Sequence, residues 1–433
     1  MNPIGLVLIS TTTLFPAYQL AMLPNVEDQI ALFSQYLGLA ALVLMAWGQV
    51  LSTRLPGVET IFGGLDRVYV LHKWAGILAM AAVLLHDTID AEMDGLGRET
   101  ALNELAETLG ELSLYGLLIL VVISVATFIP YHLWKWTHKA MGGLFAAGTF
   151  HFIFILKPFS MNDPAGLYTA GFCAIGLASY LWMLLPDGVR PSRAYDIEKL
   201  ERTGGALAIS MQPKGKGLKP TPGQFGIFRF VGATKPEPHP FSFSNIGADG
   251  SIRVTIKALG DFTTDLGNRV AIGQRVEIQG PFGRFRRAGD RSQIWIAGGI
   301  GITPFLTWAR ALSVDARPVD LFFCVRSRGE APHLQELEEV VQAKPNLRLH
   351  LFASEEGSRL TADLVAELSD KDMSQAQVSF CGPVSFRQAL QPGLRRHGVS
   401  PRCFHFEEFE FRTGIGLKRL AAWVSDQRRR TWI

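Results

Sequence analysis

Two hydrophobic patterns divide this chain. Up to about residue 185, long apolar runs alternate with short polar links. Crossing a bilayer takes roughly 20 predominantly apolar residues. Runs of that length lie near 4–23, 30–51, 68–89, 108–129, 136–156 and 165–185, and they predict a membrane α-helical bundle of six transmembrane helices. The third starts after Asp66-Arg67, Pro130 closes the fourth, and the fifth begins near Trp136. The first run has no basic leader and no convincing cleavage site, so a retained membrane helix is expected rather than a signal peptide. After Pro191 the pattern changes to short β-rich segments broken by Gly and Pro, including 206–211, 224–230, 252–258 and 275–279. These predict an antiparallel β-barrel. From Ser292 strand and helix alternate: strand 293–297, helix 305–312, strand 319–325. That order predicts a doubly wound α/β nucleotide-binding domain.

Charge orients the bundle. Lys and Arg concentrate in short cytoplasmic loops. Arg54 and Arg67 flank the second link, Lys135 and Lys139 open the fifth run beside Trp134 and Trp136, and Arg190 and Arg193 follow the sixth. The opposite links carry Glu27, Asp28, Asp87, Asp90, Glu92, Asp94 and Asp163, with Arg98 and Lys157 as exceptions. Both termini are therefore expected in the cytoplasm.

Four histidines fall inside this apolar half, where ionisable side chains usually mark function. His72 and His86 lie in the third run, His138 and His151 in the fifth. Along a helix the pairs span about 21 Å and about 19–20 Å. Facing helices with these spacings suit two stacked haems, the inner bound by His72 and His138 and the outer by His86 and His151. Fourteen residues bring His72 and His86 to within roughly 40° of one face, whereas thirteen leave His138 and His151 roughly 140° apart. Either the fifth helix bends, at Gly142-Gly143 or Gly148, or its two histidines serve different sides. His132 is a competing ligand, but its distance from His151 matches the third run poorly, and it reads as an interface residue.

Composition adds a few exclusions. The 42 basic and 39 acidic residues nearly balance at +3, which gives no reason to expect nucleic-acid binding. Cys173, Cys324, Cys381 and Cys403 form neither a CxxC zinc motif nor a CxxCH haem-attachment motif, so haem would be held by coordination and packing, without a structural disulfide. No DxDxDG calcium loop is present.

Three motifs carry chemistry in the second half. His239-Pro240-Phe241-Ser242 leads into a strand, and Lys257-Ala258-Leu259-Gly260-Asp261-Phe262-Thr263 follows one. Gly298-Gly299-Ile300-Gly301-Ile302-Thr303-Pro304 joins a strand to a helix. Its glycines allow the backbone to approach a diphosphate, the helix start supplies free N–H groups, and proline suits the first turn. Cys381-Gly382-Pro383 follows a later strand.

In this order, over about residues 35–412, these motifs resemble the NADPH oxidase and ferric reductase superfamily. The resemblance implies a ferredoxin-reductase-like module. His239, Pro240, Phe241 and Ser242 match its flavin motif, with Ser242 by the isoalloxazine and His239 nearer the diphosphate. His239 and Phe241 replace the Arg and Tyr of broader ferredoxin reductases. Lys257, Gly260 and Thr263 match the FAD-phosphate segment. Gly298, Gly299, Gly301, Thr303 and Pro304 match the dinucleotide diphosphate loop, and Cys381, Gly382 and Pro383 the segment beside the nicotinamide. Phe409 resembles the aromatic that covers the flavin, with Phe411 as the alternative. Arg326 resembles the position that meets the 2′-phosphate of NADPH, which favours NADPH over NADH.

The implied organisation is a haem-binding membrane domain at 1–190, an FAD barrel at 191–288, an NAD(P)H domain at 289–412 and a basic extension at 413–433. The extension reads as an amphipathic helix on membrane lipid or a partner, or as a disordered tail. The implied activity is that of an integral protein, in a bacterial inner membrane, whose FAD and NAD(P)H domains are cytoplasmic. It would pass electrons from NAD(P)H through FAD and two b-type haems to oxygen, giving superoxide. No residue need act as acid, base or nucleophile. A ferric chelate is the alternative acceptor. A periplasmic redox partner docking on the acidic 87–107 loop is another, although that loop also reads as a solvated connector.

Overall fold

The structure, a computed structural model, describes residues 3–23, 28–89, 100–125, 131–186, 189–232, 237–287 and 291–407. It forms two compact units that divide at Pro186/Asp187.

Each predicted apolar run is a helix. The first unit contains α1 (Pro3–Ala21), α2 (Gln29–Ser52), α3 (Pro56–Phe62), α4 (Leu65–Thr88), α5 (Ala101–Val125), α6 (Tyr131–Phe154) and α7 (Pro164–Leu184). Among the described residues five of these, α1, α2, α4, α5 and α7, are long and apolar enough to cross a membrane. The sixth expected span, α6, has 24 residues, but Lys135, Lys139 and its histidines lower its hydropathy. The short α3 was not predicted, because seven residues show little periodicity. Pro56 starts it, and Glu59 accepts the Leu65 backbone N–H at 2.8 Å. Asp28 caps α2 by accepting from the N–H groups of Ile30 and Ala31.

Helix α5 begins seven residues before the predicted run. Asn103 accepts the Thr100 N–H at 2.8 Å and donates to the Phe154 carbonyl at 2.5 Å, which fixes a polar first turn. The acidic 87–107 segment is therefore not one loop: 101–107 are helical, and 90–99 lie outside the described residues. So do Pro130 and the side chain of His132.

Helix α2 packs against α1, α4, α6 and α7, with Val43, Ala46 and Leu51 fully buried. Helix α6 lies along α5, where Ser113 donates to the Leu144 carbonyl at 2.9 Å. Ile4, Val7, Leu14, Leu112, Ile119, Val122 and Leu181 face outward. Exposed side chains of that kind suit a lipid environment.

The second unit opens with a closed antiparallel barrel. Its strands are β1 (Arg193–Thr203), β2 (Ala206–Pro213), β3 (Phe225–Phe230), β4 (His239–Ile246), β5 (Ile252–Lys257) and β6 (Arg275–Phe282). They close in the order β1-β2-β5-β4-β3-β6 around Tyr195, Phe228, Phe230, Phe243 and Ile278. Helix α8 (Asp261–Arg269) follows β5. Its polar residues gave no apolar run to read in the sequence.

The α/β half comprises β7 (Gln293–Gly298), α9 (Thr303–Ala311), β8 (Val319–Val325), α10 (Leu334–Gln342), β9 (Leu347–Ala353), α11 (Ala362–Ser369), β10 (Gln377–Cys381), α12 (Val384–Arg396) and β11 (Phe404–Glu407). The all-parallel sheet runs β11-β10-β7-β8-β9. The chain winds one way from β7 to β9 and the other way from β10 to β11. The switch point lies between β7 and β10, where doubly wound sheets open a crevice.

The barrel and the α/β half meet through paired charge. Glu336 of α10 accepts from Arg253 of β5 and Arg310 of α9, each at 2.7 Å. His333 bridges Glu336 at 3.0 Å and Thr255 at 2.8 Å. Burial opposes ionisation of Glu336, but these bonds prevail and hold its carboxyl far below the usual range.

A second buried carboxylate lies within the sheet. Asp320 of β8 is fully buried and meets Arg348 at 2.8 Å, His350 at 2.9 Å and the Lys371 ammonium. Burial raises its pKa, but the bonds from His350, Arg348 and Lys371 outweigh it, and the net direction is downward. A lowered folded pKa stabilises above the unfolded value of about 3.9, and that stability is lost as pH falls through the folded pKa. Asp320→Ala, which strands Lys371, should cost about 3–5 kcal/mol. Proteolysis of the α/β half across a urea series should show the loss near neutral pH and a smaller difference from wild type in acid.

Candidate functional site

The four membrane histidines share one arrangement: each ring Nδ1 has an acceptor on a neighbouring helix. His72 Nδ1 lies 2.9 Å from the Gly48 carbonyl, and His86 Nδ1 lies 2.8 Å from the Ser34 carbonyl, both acceptors on α2. His151 Nδ1 lies 2.9 Å from the Ala106 carbonyl and His138 Nδ1 3.2 Å from the Ser124 hydroxyl, both on α5. A carbonyl only accepts, so three rings must carry their proton on Nδ1. Ser124 donates its own proton to the Leu120 carbonyl at 2.7 Å, so it too accepts from its histidine. All four rings thus present Nε2 as the nitrogen with a lone pair, the tautomer a metal ligand needs.

The first pair converges. The rings of His72 and His138 have centroids 5.9 Å apart at 61°. Metal–imidazole bonds are about 2 Å long, so two rings at this separation could both hold one haem iron. Trp134 stacks on His138 at 4.8 Å.

Helix α6 achieves this as one continuous helix through Gly142, Gly143 and Gly148. The face between His138 and His151 carries Met141 and Gly148 and packs on α5: Met141 meets Leu114 and Leu117, and a Cβ at Gly148 would lie 3.1 Å from Ser113 Oγ. The two rings therefore leave on opposite flanks of that face, about 70° to either side, and both still reach α5.

Several supporting residues escaped sequence reasoning. A Cβ at Gly110 would lie 2.5 Å from His151 Nδ1, and one at Gly38 would lie 3.3 Å from His86 Nε2. Small residues in apolar helices signal close approach. The carbonyls of Ser34, Gly48 and Ala106 carry no sequence signal, because every residue has one.

In the second unit, the first two motifs come together. The His239 ring of β4 stacks on Phe262 of α8 at 3.8 Å. Thr263 Oγ1 accepts the N–H groups of Leu259 at 2.9 Å and Gly260 at 3.1 Å, which shapes the start of α8. Phe241 packs 5.8 Å from Phe228, and Pro240 lies opposite Ile227 in the ladder. Ser242 is buried, and its Oγ has no hydrogen-bond partner among the described residues. An orphaned buried hydroxyl on this strand fits a polar ring edge supplied by a ligand. The Lys257 ammonium reaches Glu330 of the α/β half at 3.2 Å.

The third and fourth motifs meet at the sheet's switch point. Gly299 adopts φ +55° at the end of β7. A Cβ at Gly301 would overlap the Cys381 carbonyl, and one at Gly382 would lie 3.1 Å from Gly298 Cα. A Cβ at Gly298 would press on Pro383 at 2.9 Å. The glycines thus allow the two turns to pack together. Thr303 donates to the Ile300 carbonyl at 3.1 Å, and Pro304 sits in the first turn of α9. Cys381 is fully buried; burial, then the charge of Glu407, pushes its thiol pKa well up, so it stays neutral. Arg326 is exposed just beyond β8, and its carbonyl accepts the Glu355 N–H at 2.8 Å. Phe409 and Phe411 lie outside the described residues.

Comparison with known proteins assigns a family to part of each unit. Residues 37–149 match the ferric reductase like transmembrane component family, and residues 295–391 match the oxidoreductase NAD-binding domain family. The chain is similar to methane monooxygenase component C of Methylosinus trichosporium, with 32% identity over 136 residues, 30% of this chain and 39% of that protein. It is similar to the flavohemoprotein of Rhodopirellula baltica, with 26% identity over 254 residues, 52% of this chain and 62% of that protein. The chain thus spans less than two thirds of either relative. Among solved structures it is similar to the flavohem-like FAD/NAD binding domain of nitric oxide dioxygenase from Vibrio cholerae, with 21% identity and a TM-score of 0.45, covering 50% of this chain and 98% of that one. The chain joins a ferric-reductase-like transmembrane domain to an oxidoreductase NAD-binding domain, the combination expected of the ferric reductase and NADPH oxidase-like superfamily.

Proposed function

We propose that the chain carries electrons from NAD(P)H, by way of FAD and two b-type haems, across the membrane to oxygen, giving superoxide. The observation that carries this reading is the approach of His72 to His138 at 5.9 Å, with both Nδ1 atoms committed to neighbouring helices. Bound flavin and haem would supply hydride acceptance and one-electron transfer. The protein binds, orients and spaces them.

His72 and His138 would hold the inner haem, and His86 and His151 the outer. Gly298, Gly299, Gly301, Thr303 and Pro304 would receive the dinucleotide diphosphate, with Cys381, Gly382 and Pro383 beside the nicotinamide. His239, Pro240, Phe241, Ser242, Gly260 and Thr263 would bind FAD, with Lys257 near its phosphates and Phe409 over the ring. Arg326 would take the 2′-phosphate, which favours NADPH over NADH. Helix α6 would be the sixth span. The Lys and Arg bias supports cytoplasmic FAD and NAD(P)H domains, as in a bacterial inner membrane. The match of residues 37–149 to a ferric-reductase-like component favours a ferric chelate as the second acceptor.

Three outcomes test this reading. His72→Ala or His138→Ala should remove one low-spin haem and His86→Ala or His151→Ala the other, each leaving about half the α-band absorbance. Full spectra in all four variants would overturn the ligand assignment. Arg326→Ala should raise KM for NADPH roughly tenfold, about 1.4 kcal/mol, and leave KM for NADH unchanged. Purified protein loaded with haem and FAD should oxidise NADPH in air with matching dismutase-sensitive cytochrome c reduction, and should stop without oxygen. Turnover that requires added ferric chelate would move the assignment to a metal reductase.

A further inference from the structure

The four imidazole clamps are not equivalent. His72 and His151 each donate to one main-chain carbonyl at 2.9 Å. His86 has two acceptors on Ser34, the carbonyl at 2.8 Å and the hydroxyl at 2.9 Å. His138 alone relies on a side-chain hydroxyl, and its bond is the longest of the set at 3.2 Å. With that hydroxyl's proton on the Leu120 carbonyl one turn back on α5, a lone pair is left for His138.

An acceptor on Nδ1–H pulls the proton from the ring and raises the basicity of Nε2. A more basic histidine would favour ferric iron in a haem that it holds and would lower the reduction potential. A hydroxyl at 3.2 Å pulls less than a carbonyl at 2.9 Å. We infer that Ser124 is a positioning and potential-setting residue: it fixes the tautomer of His138 and, as the weakest of the four acceptors, makes the haem held by His72 and His138 easier to reduce than a fourth carbonyl would. This inference rests on the haem reading above. Ser124 touches neither iron nor substrate, and acts through His138.

The test is a spectroelectrochemical titration of the full-length, haem-loaded protein in detergent, comparing wild type with Ser124→Ala, Ser124→Asn and Ser124→Thr. The component to follow is the one that His138→Ala removes. Ser124→Ala deletes the acceptor and should raise that component's potential. Ser124→Asn offers a carbonyl and should lower it. Ser124→Thr keeps the hydroxyl and should match wild type. The second haem should stay fixed throughout, with both remaining low-spin. Should Ser124→Ala fail to assemble, Ser124→Asn against Ser124→Thr carries the same comparison. Unchanged potentials in Ala and Asn overturn the inference, and so do shifts of equal sign in both, since a packing defect has no reason to reverse sign. If wild type shows no haem, or His138→Ala keeps both components, the haem assignment itself fails, and that result is separate from a null effect at Ser124.

Discussion

A buried imidazole N–H without an acceptor costs free energy in a medium that supplies no water. The membrane unit is organised around meeting that demand four times. Helices α4 and α6 carry the rings, while α2 and α5 carry the acceptors. Each ring helix must therefore lie close beside its acceptor helix, in a register set by the bonds. Gly38 and Gly110 stand where a larger side chain would press on a histidine. The same bonds that hold the helices together decide which nitrogen of each ring carries the proton. Packing and ligand chemistry are in this sense one constraint.

The second unit answers a different demand, which is to let backbone segments approach one another closely. It does so at the sheet's switch point, where Gly301 passes under the Cys381 carbonyl and Gly298 lies against Gly382. On the barrel side, the stack of His239 on Phe262 joins the strand motif to the helix-start motif. The barrel and the α/β half are held in one unit by Glu336 and its partners Arg253, Arg310 and His333. An apolar contact accompanies this charged link: Phe285, just after the last barrel strand, stacks on Trp308 of α9 at 4.6 Å.

Much of the fold was legible because its signals are periodic or punctuated. Apolar runs located each long helix of the membrane unit to within a few residues, apart from the polar first turns of α5 and the early residues of α6 and α4. Strand 319–325 was read to the residue, because every position in it except Asp320 is apolar and Pro318 and Arg326 flank it. What was not legible lacked such a signal. Helix α3 is too short, α8 is too polar, and spacing alone left open whether the α6 helix bends or its two histidines leave on different sides. The structure resolves that problem with rings on opposite flanks.

The sequence by itself determined the chemistry available: four histidines inside apolar helices, glycines ahead of a helix start, and a proline that suits its first turn. These are properties of residue type and spacing, which the chain carries before it folds. Only the tertiary structure decided which atoms meet. It placed the carbonyls of Gly48, Ser34 and Ala106 and the hydroxyl of Ser124 against the rings, and set two turns over eighty residues apart into contact at one switch point. A backbone carbonyl is the same in every residue, so its role comes from position in space, and position is settled by packing.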